Sequence, residues 1–186
     1  LNNAGTAETY GAELEVHWAA SDTLNLTLGY AYNHGEYADF EGGPCWIATP
    51  FHTGLPDPQA NGDGSCDRSG GDLSSNPENS FVITGNKEFR FSDNVTGFVY
   101  GEYVYTDDRV TDVNNDPLKF ADDYALVNLR AGVRLEQWDV LLTLWGRNIL
   151  DEEYTNTIAD SVVQNGKLNA FYNEPATFGF TAKKHL

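Results

Sequence analysis

Hydrophobic and polar residues alternate along seven stretches of this chain. After Trp138, residues Val140, Leu142 and Leu144 fall on one face of an extended chain, and Asp139, Thr143 and Arg147 fall on the other. Successive side chains of a β-strand point to opposite faces, so this period of two predicts a strand. The same pattern predicts strands over residues 9–19, 23–34, 80–91, 95–106, 124–135, from 138 onward and from 177 to the C-terminus.

The connections between these strands alternate strictly between short and long. Short turns are predicted at residues 20–22, 92–94 and 136–137, and long polar segments at 35–79, 107–123 and about 150–176. In an up-and-down sheet this order places every long segment at one edge. Outer-membrane barrels have this arrangement, with short turns in the periplasm and long loops outside. Strands of roughly 10 to 12 residues also suit a tilted membrane crossing.

The two faces of the predicted strands differ in chemistry. One carries Leu, Val, Phe and Tyr, and the other carries Glu13, Glu15, Glu88, Arg90, Arg130, Arg134 and Arg147. In a barrel the first face meets lipid and the second meets the lumen. For residues 95–106 both faces are half aromatic, so the pattern leaves the orientation of that strand open. The fold class predicted is all-β, an antiparallel up-and-down transmembrane β-barrel.

Aromatic residues are expected at both membrane interfaces, where amphipathic rings favour the headgroup level. The topology places Trp18, Phe89, Phe91 and Trp138 near the short-turn end, and Tyr30, Tyr32, Tyr103, Tyr105 and Tyr124 near the long-loop end. The alternative is that aromatic residues are simply common in strands. Lipid tolerates only closed sheets, and single-chain bacterial barrels have even strand numbers. Seven strands therefore predict a piece of a larger barrel.

Charge and cysteine content limit the possible binding partners and the cellular compartment of the protein. The formal net charge of −17 argues against a nucleic-acid partner, because binding phosphates requires clustered Lys and Arg. Cys45 and Cys66 both lie in the long segment 35–79 and lack zinc-ligand spacing, so a disulfide is the favoured interpretation over two free thiols. It would close a loop of 22 residues. A loop of that length is stabilised by roughly 3 kcal/mol. A disulfide also implies an oxidising compartment.

Several motifs in order resemble one family. In chain order, the first two motifs are AETYGAELEVHW near the N-terminus and AsnProGluAsnSer at 76–80. The third is GRNILDEEY, with Asn148, Ile149, Leu150, Asp151 and Tyr154. The fourth is Pro175 followed by a Gly-containing final strand. Each motif is weak alone, but together and in this order the chain resembles the C-terminal end of a TonB-dependent outer-membrane receptor.

The resemblance implies a barrel of about 22 strands with an N-terminal plug, of which residues 1–186 would form strands 16 to 22. The plug, the segment that contacts TonB and the earlier strands would be absent from this sequence. The implied function is active uptake of a scarce nutrient, such as a siderophore–iron complex, across the outer membrane of a bacterial cell. The implied partners are outer-membrane lipid, TonB acting through the plug, and the barrel-assembly machinery reading the C-terminal strand. The family usually ends in an aromatic residue, whereas this chain ends in LysLysHisLeu, with Lys184 at an outward position.

Two candidate sites lie in the segment 35–79. Asn61, Asp63, Ser65 and Asp67 place oxygen ligands at alternate positions, as in part of a calcium loop, although the terminal bidentate Glu is missing. The alternative is a solvated loop tied by the disulfide, and no other cofactor is expected. Trp46, Phe51 and His52 are candidates for contact with a small nutrient ligand, and the alternative is a cover over the barrel mouth.

A third candidate set faces the lumen. Glu13, Glu15, Arg130, Arg134 and Arg147 would pair with the plug or with neighbouring strands, or would simply be hydrated. Catalysis finds little support, because the four histidines lack a nucleophile or carboxylate arrangement around them. The competing functions are a passive porin-like barrel and a soluble β-sandwich binding module with acidic loops.

Overall fold

Seven long strands form one antiparallel sheet in the computed structural model, which describes residues 5–46, 57–161, 163–164 and 166–184. The strands of the sheet are β1 (Thr6–Ser21), β2 (Leu24–Asp39), β3 (Asn79–Ser92), β4 (Val95–Thr106), β7 (Tyr124–Leu135), β8 (Val140–Arg147) and β11 (Thr177–Lys184). They pair in the order β1-β2-β3-β4-β7-β8-β11. Each long strand therefore lies beside its neighbour in sequence, and the predicted all-β, up-and-down antiparallel arrangement is confirmed.

The three long connections all leave the same edge of this sheet. We call them the first, second and third excursions, residues 40–78, 107–123 and 148–176. The second contains a small hairpin of β5 (Arg109–Val110) and β6 (Phe120–Ala121), and the third a hairpin of β9 (Thr155–Asp160) and β10 (Leu168–Tyr172). The short turns lie at the opposite edge. Within the described residues, no helix has the length and apolar character needed to cross a membrane.

The pairing register assigns every strand residue to one of two faces. A row across the sheet joins Leu28 to Ile83, then Tyr103, then Val127, and we call this side the outer face. The adjacent row joins Thr27 to Thr84, then Glu102, then Asn128, and this side is the inner face. The orientation of β4, which the sequence left open, is thereby decided: Glu102 points inward and Tyr103 outward.

Two strands are longer than predicted. β1 and β2 each span 16 residues and remain paired up to Thr6 and Asp39, well beyond the predicted end of β2 at residue 34. Glu8 lies opposite Glu36 in this extension, so the apolar alternation has already ended there. Backbone hydrogen bonds continue without it, because the ladder needs only extended backbone and not a hydrophobic face.

Two aromatic residues, Trp138 and Tyr124, do not lie where the sequence placed them, and a third, Trp145, has its face assigned only by the structure. Trp138 belongs to a short 3-10 turn, Glu136–Trp138, and β8 begins only at Val140. Tyr124 lies opposite Thr106 on the inner face and stacks on Tyr154 at 3.6 Å between ring centroids, so it is not part of an outer belt. Trp145 lies opposite Arg130, also on the inner face. The alternation that points Val127 outward in β7 points Tyr124, three residues earlier, inward, so the belt assignment of Tyr124 and not the period of two was wrong.

The motif after β8 forms a tight corner that positions β11. Asn148 and Asp151 both have positive φ, 48° and 55°, a conformation that Asn and Asp tolerate better than most residues. The Asn148 side chain is buried, accepts the Glu152 N–H at 2.9 Å and donates to the Glu152 carbonyl at 2.8 Å. Asp151 accepts the N–H of Ala176 at 2.8 Å, directly before β11. The Asn and Asp of the motif thus connect the end of β8 to the start of β11.

We expect Asn148→Ala to destabilise this corner by about 1 to 3 kcal/mol, because the variant leaves part-buried backbone groups of Glu152 and Glu174 without their partners. The measurement is thermal unfolding of the full receptor in detergent. Asn169→Ala is the matched control, since Asn169 is an exposed residue of β10. Equal melting temperatures for the two variants would contradict this role of Asn148.

Candidate functional site

The first excursion is folded around a disulfide and a buried arginine. Cys45 and Cys66 are joined, as predicted, with 5.1 Å between their Cα atoms. The wholly buried Arg68 side chain forms an ion pair with Asp57 and donates to Gln59 Oε1 at 2.5 Å. A buried guanidinium is stable only when its donors are satisfied. Arg68 therefore organises the loop from within.

Asp57 is the negative partner of this buried cluster. Burial acts to raise the pKa of its carboxyl, but the Gln59 N–H, the Arg68 guanidinium and the Trp46 N–H outweigh that effect and lower the pKa. The Asp57 carboxylate accepts the Trp46 N–H at 3.1 Å, and the Trp46 ring lies 5.3 Å from the Arg68 guanidinium carbon. Among the predicted ligand residues, Trp46 is thus packed against the arginine. Phe51 and His52 lie outside the described residues.

The predicted calcium ligands form hydrogen bonds with their own loop. Asp63 Oδ1 accepts from the N–H and the hydroxyl of Ser65 at 2.9 and 2.6 Å, and these bonds lower the pKa of the Asp63 carboxyl. Asp67 accepts the Ser69 N–H at 2.9 Å, and Asn61 donates to the Ser65 hydroxyl at 3.2 Å. This geometry is what the alternative, a disulfide-tied loop, requires. Calcium binding at Asn61, Asp63, Ser65 and Asp67 stays a prediction.

A buried lysine joins the second excursion to the third. Lys119 Nζ lies 2.5 Å from Asp112 of its own excursion and 2.5 Å from Asp160 of β9. Burial acts to lower the pKa of the Lys119 amine, but the two carboxylates outweigh it and raise the pKa. The lysine therefore keeps its charge at neutral pH. Its two ion pairs link segments that are 41 residues apart in sequence.

Further hydrogen bonds connect the excursions into one rim. The Thr111 hydroxyl accepts the Ile158 N–H at 3.1 Å, which repeats the link between the second and third excursions. The Ser75 N–H donates to the Val110 carbonyl at 2.8 Å, and Asn115 donates to the Asp72 carbonyl at 2.9 Å, which link the first excursion to the second. The three excursions thus behave as one connected structure above the sheet, which we call the rim.

Below the rim, two arginines and three aromatic residues, Phe98, Tyr100 and Trp145, line a cleft of 660 Å³ on the inner face, which we call the inner cleft. The Arg130 guanidinium lies 5.8 Å from the Tyr100 ring, and that of Arg147 lies 5.6 Å from the Trp145 ring. Within the part of the chain that the structure describes, neither forms an ion pair with a carboxylate. Stacking holds each guanidinium in place and leaves it available for an anionic group.

The five predicted lumen-facing residues all occupy the inner face, but they do not converge. Arg134 lies at the short-turn end, 3.6 Å from Asp139. Glu13 and Glu15 lie on β1 at the far edge of the sheet, where Glu15 contacts His17 at 3.0 Å. The structure therefore brings together Arg130 and Arg147 from the predicted set, and separates the others from them.

Sequence reasoning missed several residues that matter for this geometry. Trp145 shares its face with Thr143 and Arg147, so the strand period alone would have placed it in the lumen. Tyr100 required the orientation of β4, which was open. No sequence signal points to Lys119 or Arg68, because Asp160 and Asp57 lie 41 and 11 residues away from them and no regular spacing relates the partners.

Solved structures of outer-membrane receptors share this fold. The ferric yersiniabactin uptake receptor FyuA from Yersinia pestis matches with a TM-score of 0.72 and 14% identity, over 97% of this chain and 24% of that one. The siderophore receptor PiuA from Acinetobacter baumannii matches with a TM-score of 0.66 and 19% identity, over 95% of this chain and 21% of that one. The chain thus spans about a quarter or a fifth of those proteins. A search of curated protein sequences gave no match.

A family model matches most of the sequence. The family described as TonB dependent receptor-like, beta-barrel, matches residues 1–149, which include β1 through β8. The motifs at both ends of this region had suggested the same family, and the antiparallel sheet with its excursions at one edge agrees with it. The chain belongs to the TonB-dependent receptor family, whose β-barrel model matches residues 1–149.

Proposed function

We propose that the seven strands are the C-terminal part of a larger closed barrel of about 22 strands. β1 and β11 each pair on one side only within the described sheet. An unpaired strand edge in lipid leaves backbone groups without partners, at several kcal/mol each. Further strands of the same receptor would satisfy both edges. The share of FyuA and PiuA that the chain spans, 24% and 21%, is consistent with this size.

The function we infer is TonB-dependent uptake of a scarce nutrient across the outer membrane of a bacterial cell. The observation that carries it is the single sheet whose long excursions form one cross-linked rim at the edge opposite the short turns. Such a rim surrounds the entrance of a barrel and is suited to capturing a ligand before transport. A siderophore–iron complex is the substrate class we favour, because FyuA and PiuA are described as receptors for such compounds.

We assign a binding partner or environment to each surface of the sheet. The outer face contacts outer-membrane lipid, and β11 presents the C-terminal strand to the barrel-assembly machinery. The inner cleft contacts the plug, through which TonB acts, and Arg130 and Arg147 pair there with plug carboxylates. Glu13, Glu15 and Arg134 line other parts of the lumen.

The alternatives explain fewer observations. A β-sandwich needs a second sheet packed on the first, whereas the described residues form one seven-stranded sheet and two short hairpins that lie within the excursions. A passive porin-like barrel has the same strand geometry, but family membership favours a receptor with a plug.

Uptake should depend on the energy-coupling protein TonB. A strain that expresses the full receptor is expected to accumulate radiolabelled ferric siderophore, and a matched strain without TonB is expected to lose this accumulation. Accumulation at the same rate without TonB would identify a passive pore instead. Ferric complexes of several chemical classes need to be compared, and a second receptor of known substrate serves as the positive control.

The rim should weaken when its buried lysine loses its charge. In Lys119→Met, Asp112 and Asp160 lose their shared cation, so we expect the second and third excursions to separate and ligand affinity to fall roughly 10-fold or more. The measurements are limited proteolysis of the excursions and ligand binding to the full receptor. Lys167→Met is the control, because Lys167 is exposed in the third excursion. Protease resistance equal to that of the control would show that the ion pairs do not hold the rim.

The plug contact can be tested on the inner face. Arg130→Glu combined with Arg147→Glu should repel plug carboxylates and increase permeability to large hydrophilic antibiotics in cells that express the full receptor. Arg90→Glu is the control, because Arg90 also lies on the inner face but pairs with Asp93 near the short-turn end. If the double variant is no more permeable than the control, the inner cleft does not retain the plug.

A further inference from the structure

One acidic side chain, Glu102, lines the inner cleft together with its two arginines and pairs with neither. Glu102 on β4 lies opposite Asn128 on β7, and Arg130 lies opposite Tyr100, so Glu102 and Arg130 are diagonal neighbours across the ladder. Long side chains can bridge that separation. Among the ion pairs of the described residues, however, none involves Glu102. Its carboxylate must therefore have another use.

The two carboxylate oxygens of Glu102 bind two neighbouring side chains. Oε2 accepts the Tyr100 hydroxyl at 3.0 Å, and Oε1 accepts the Asn128 side-chain amide at 2.7 Å. Both partners donate, and an ionised carboxylate consists of acceptors only, whereas a primary amide would present a donor to one of them. Hydrogen bonds to a charged acceptor are also stronger than those between neutral groups. An acid at this position thus holds both neighbours in place.

Through Tyr100, Glu102 acts on Arg130. The Arg130 side chain is exposed, and its guanidinium lies 5.8 Å from the Tyr100 ring. A ring whose hydroxyl is bonded keeps one rotamer, and a cation stacked on that ring keeps a corresponding position. The bond from Tyr100 to Glu102 therefore fixes the surface on which Arg130 stacks.

Through Asn128, Glu102 acts on Arg147. Asn128 Oδ1 accepts the N–H of Asn148 at 2.9 Å, and Asn148 directly follows Arg147 in the chain. The amide that donates to Glu102 and the oxygen that accepts from Asn148 belong to the same side chain. Glu102 thus orients the group that ties the backbone beside Arg147 to β7.

We propose that Glu102 is a positioning residue for the contact between the inner cleft and the plug. By holding Tyr100 and Asn128, its carboxylate keeps both arginines of the cleft in one arrangement. It leaves them without a counter-ion, and therefore able to pair with plug carboxylates. This inference rests on the plug contact proposed above.

Glu102→Asp separates positioning from charge. The variant keeps the negative charge, but its side chain is one methylene shorter and does not reach both donors. In cells that express the full receptor, we expect the inhibitory concentration of vancomycin to fall roughly fourfold or more, because the displaced arginines no longer retain the plug. If Glu102 acted only through its charge, Glu102→Asp would match the unaltered receptor, and this result would overturn the proposal.

Glu88→Asp is the matched control, because Glu88 is also an inner-face acid, on β3 opposite Phe98, and does not line the inner cleft. We expect it to leave vancomycin sensitivity unchanged. An effect of the control equal to that of Glu102→Asp would show that shortening any acid of the inner face disturbs the barrel, and would contradict a particular role of Glu102.

A positioning residue has no effect once the groups that it positions are removed. In a full receptor carrying Arg130→Gln and Arg147→Gln, adding Glu102→Asp is expected to cause no further fall in the inhibitory concentration. A further fall as large as in the unaltered receptor would identify a general structural role and overturn the proposal.

A crystal structure of the full receptor carrying Glu102→Asp tests the geometry directly. We expect the Arg130 guanidinium to leave the Tyr100 ring, and an unchanged position of both arginines would refute positioning whatever the permeability. If the arginine variants alone leave the barrier intact, the plug contact fails, and this structure still decides the role of Glu102. Should Glu102→Asp not fold, Tyr100→Phe removes only the hydroxyl and is subject to the same measurements and the same outcomes.

Discussion

The hydrogen-bond ladder between neighbouring strands is the constraint on which this structure depends. In lipid each unpaired backbone group costs several kcal/mol, so a membrane-spanning segment must satisfy its own backbone or share it with a neighbour. Here the ladder runs without a gap from β1 through β11 and includes every long strand. Its register then assigns each side chain to the outer or the inner face, because a shift of one residue would exchange the two faces.

The two faces that result have different chemistry and serve different neighbours. β7 carries Arg130 inward and Ala131 outward, one residue apart. The inward residue belongs to a cleft of stacked guanidinium and aromatic groups, whereas the outward one belongs to the floor of an apolar groove. A single strand therefore contributes to two surfaces of different chemistry.

The rim is stabilised in a different way, because most of its segments are irregular and are not paired in the main sheet. Arg68 and Lys119 are buried cations in a chain with a net charge of −17, and each is neutralised by acids of the excursions. Removing a buried charge's partner is strongly destabilising, so such pairs favour one arrangement of the loops. The corner at Asn148 and Asp151 separately fixes the start of β11 through the hydrogen bonds to Glu152 and Ala176.

Period and connection length were enough to predict seven strands, their antiparallel order and the common edge of the excursions, because strand geometry requires side chains to alternate and short turns to join neighbours. The sequence also indicated the disulfide and the family. It could not orient β4, stack Tyr124 on Tyr154, or pair Lys119 with Asp160. Those features depend on register and on contacts between distant segments. Only the tertiary structure decides them, because a local pattern contains no information about which residues lie across the ladder or across the rim.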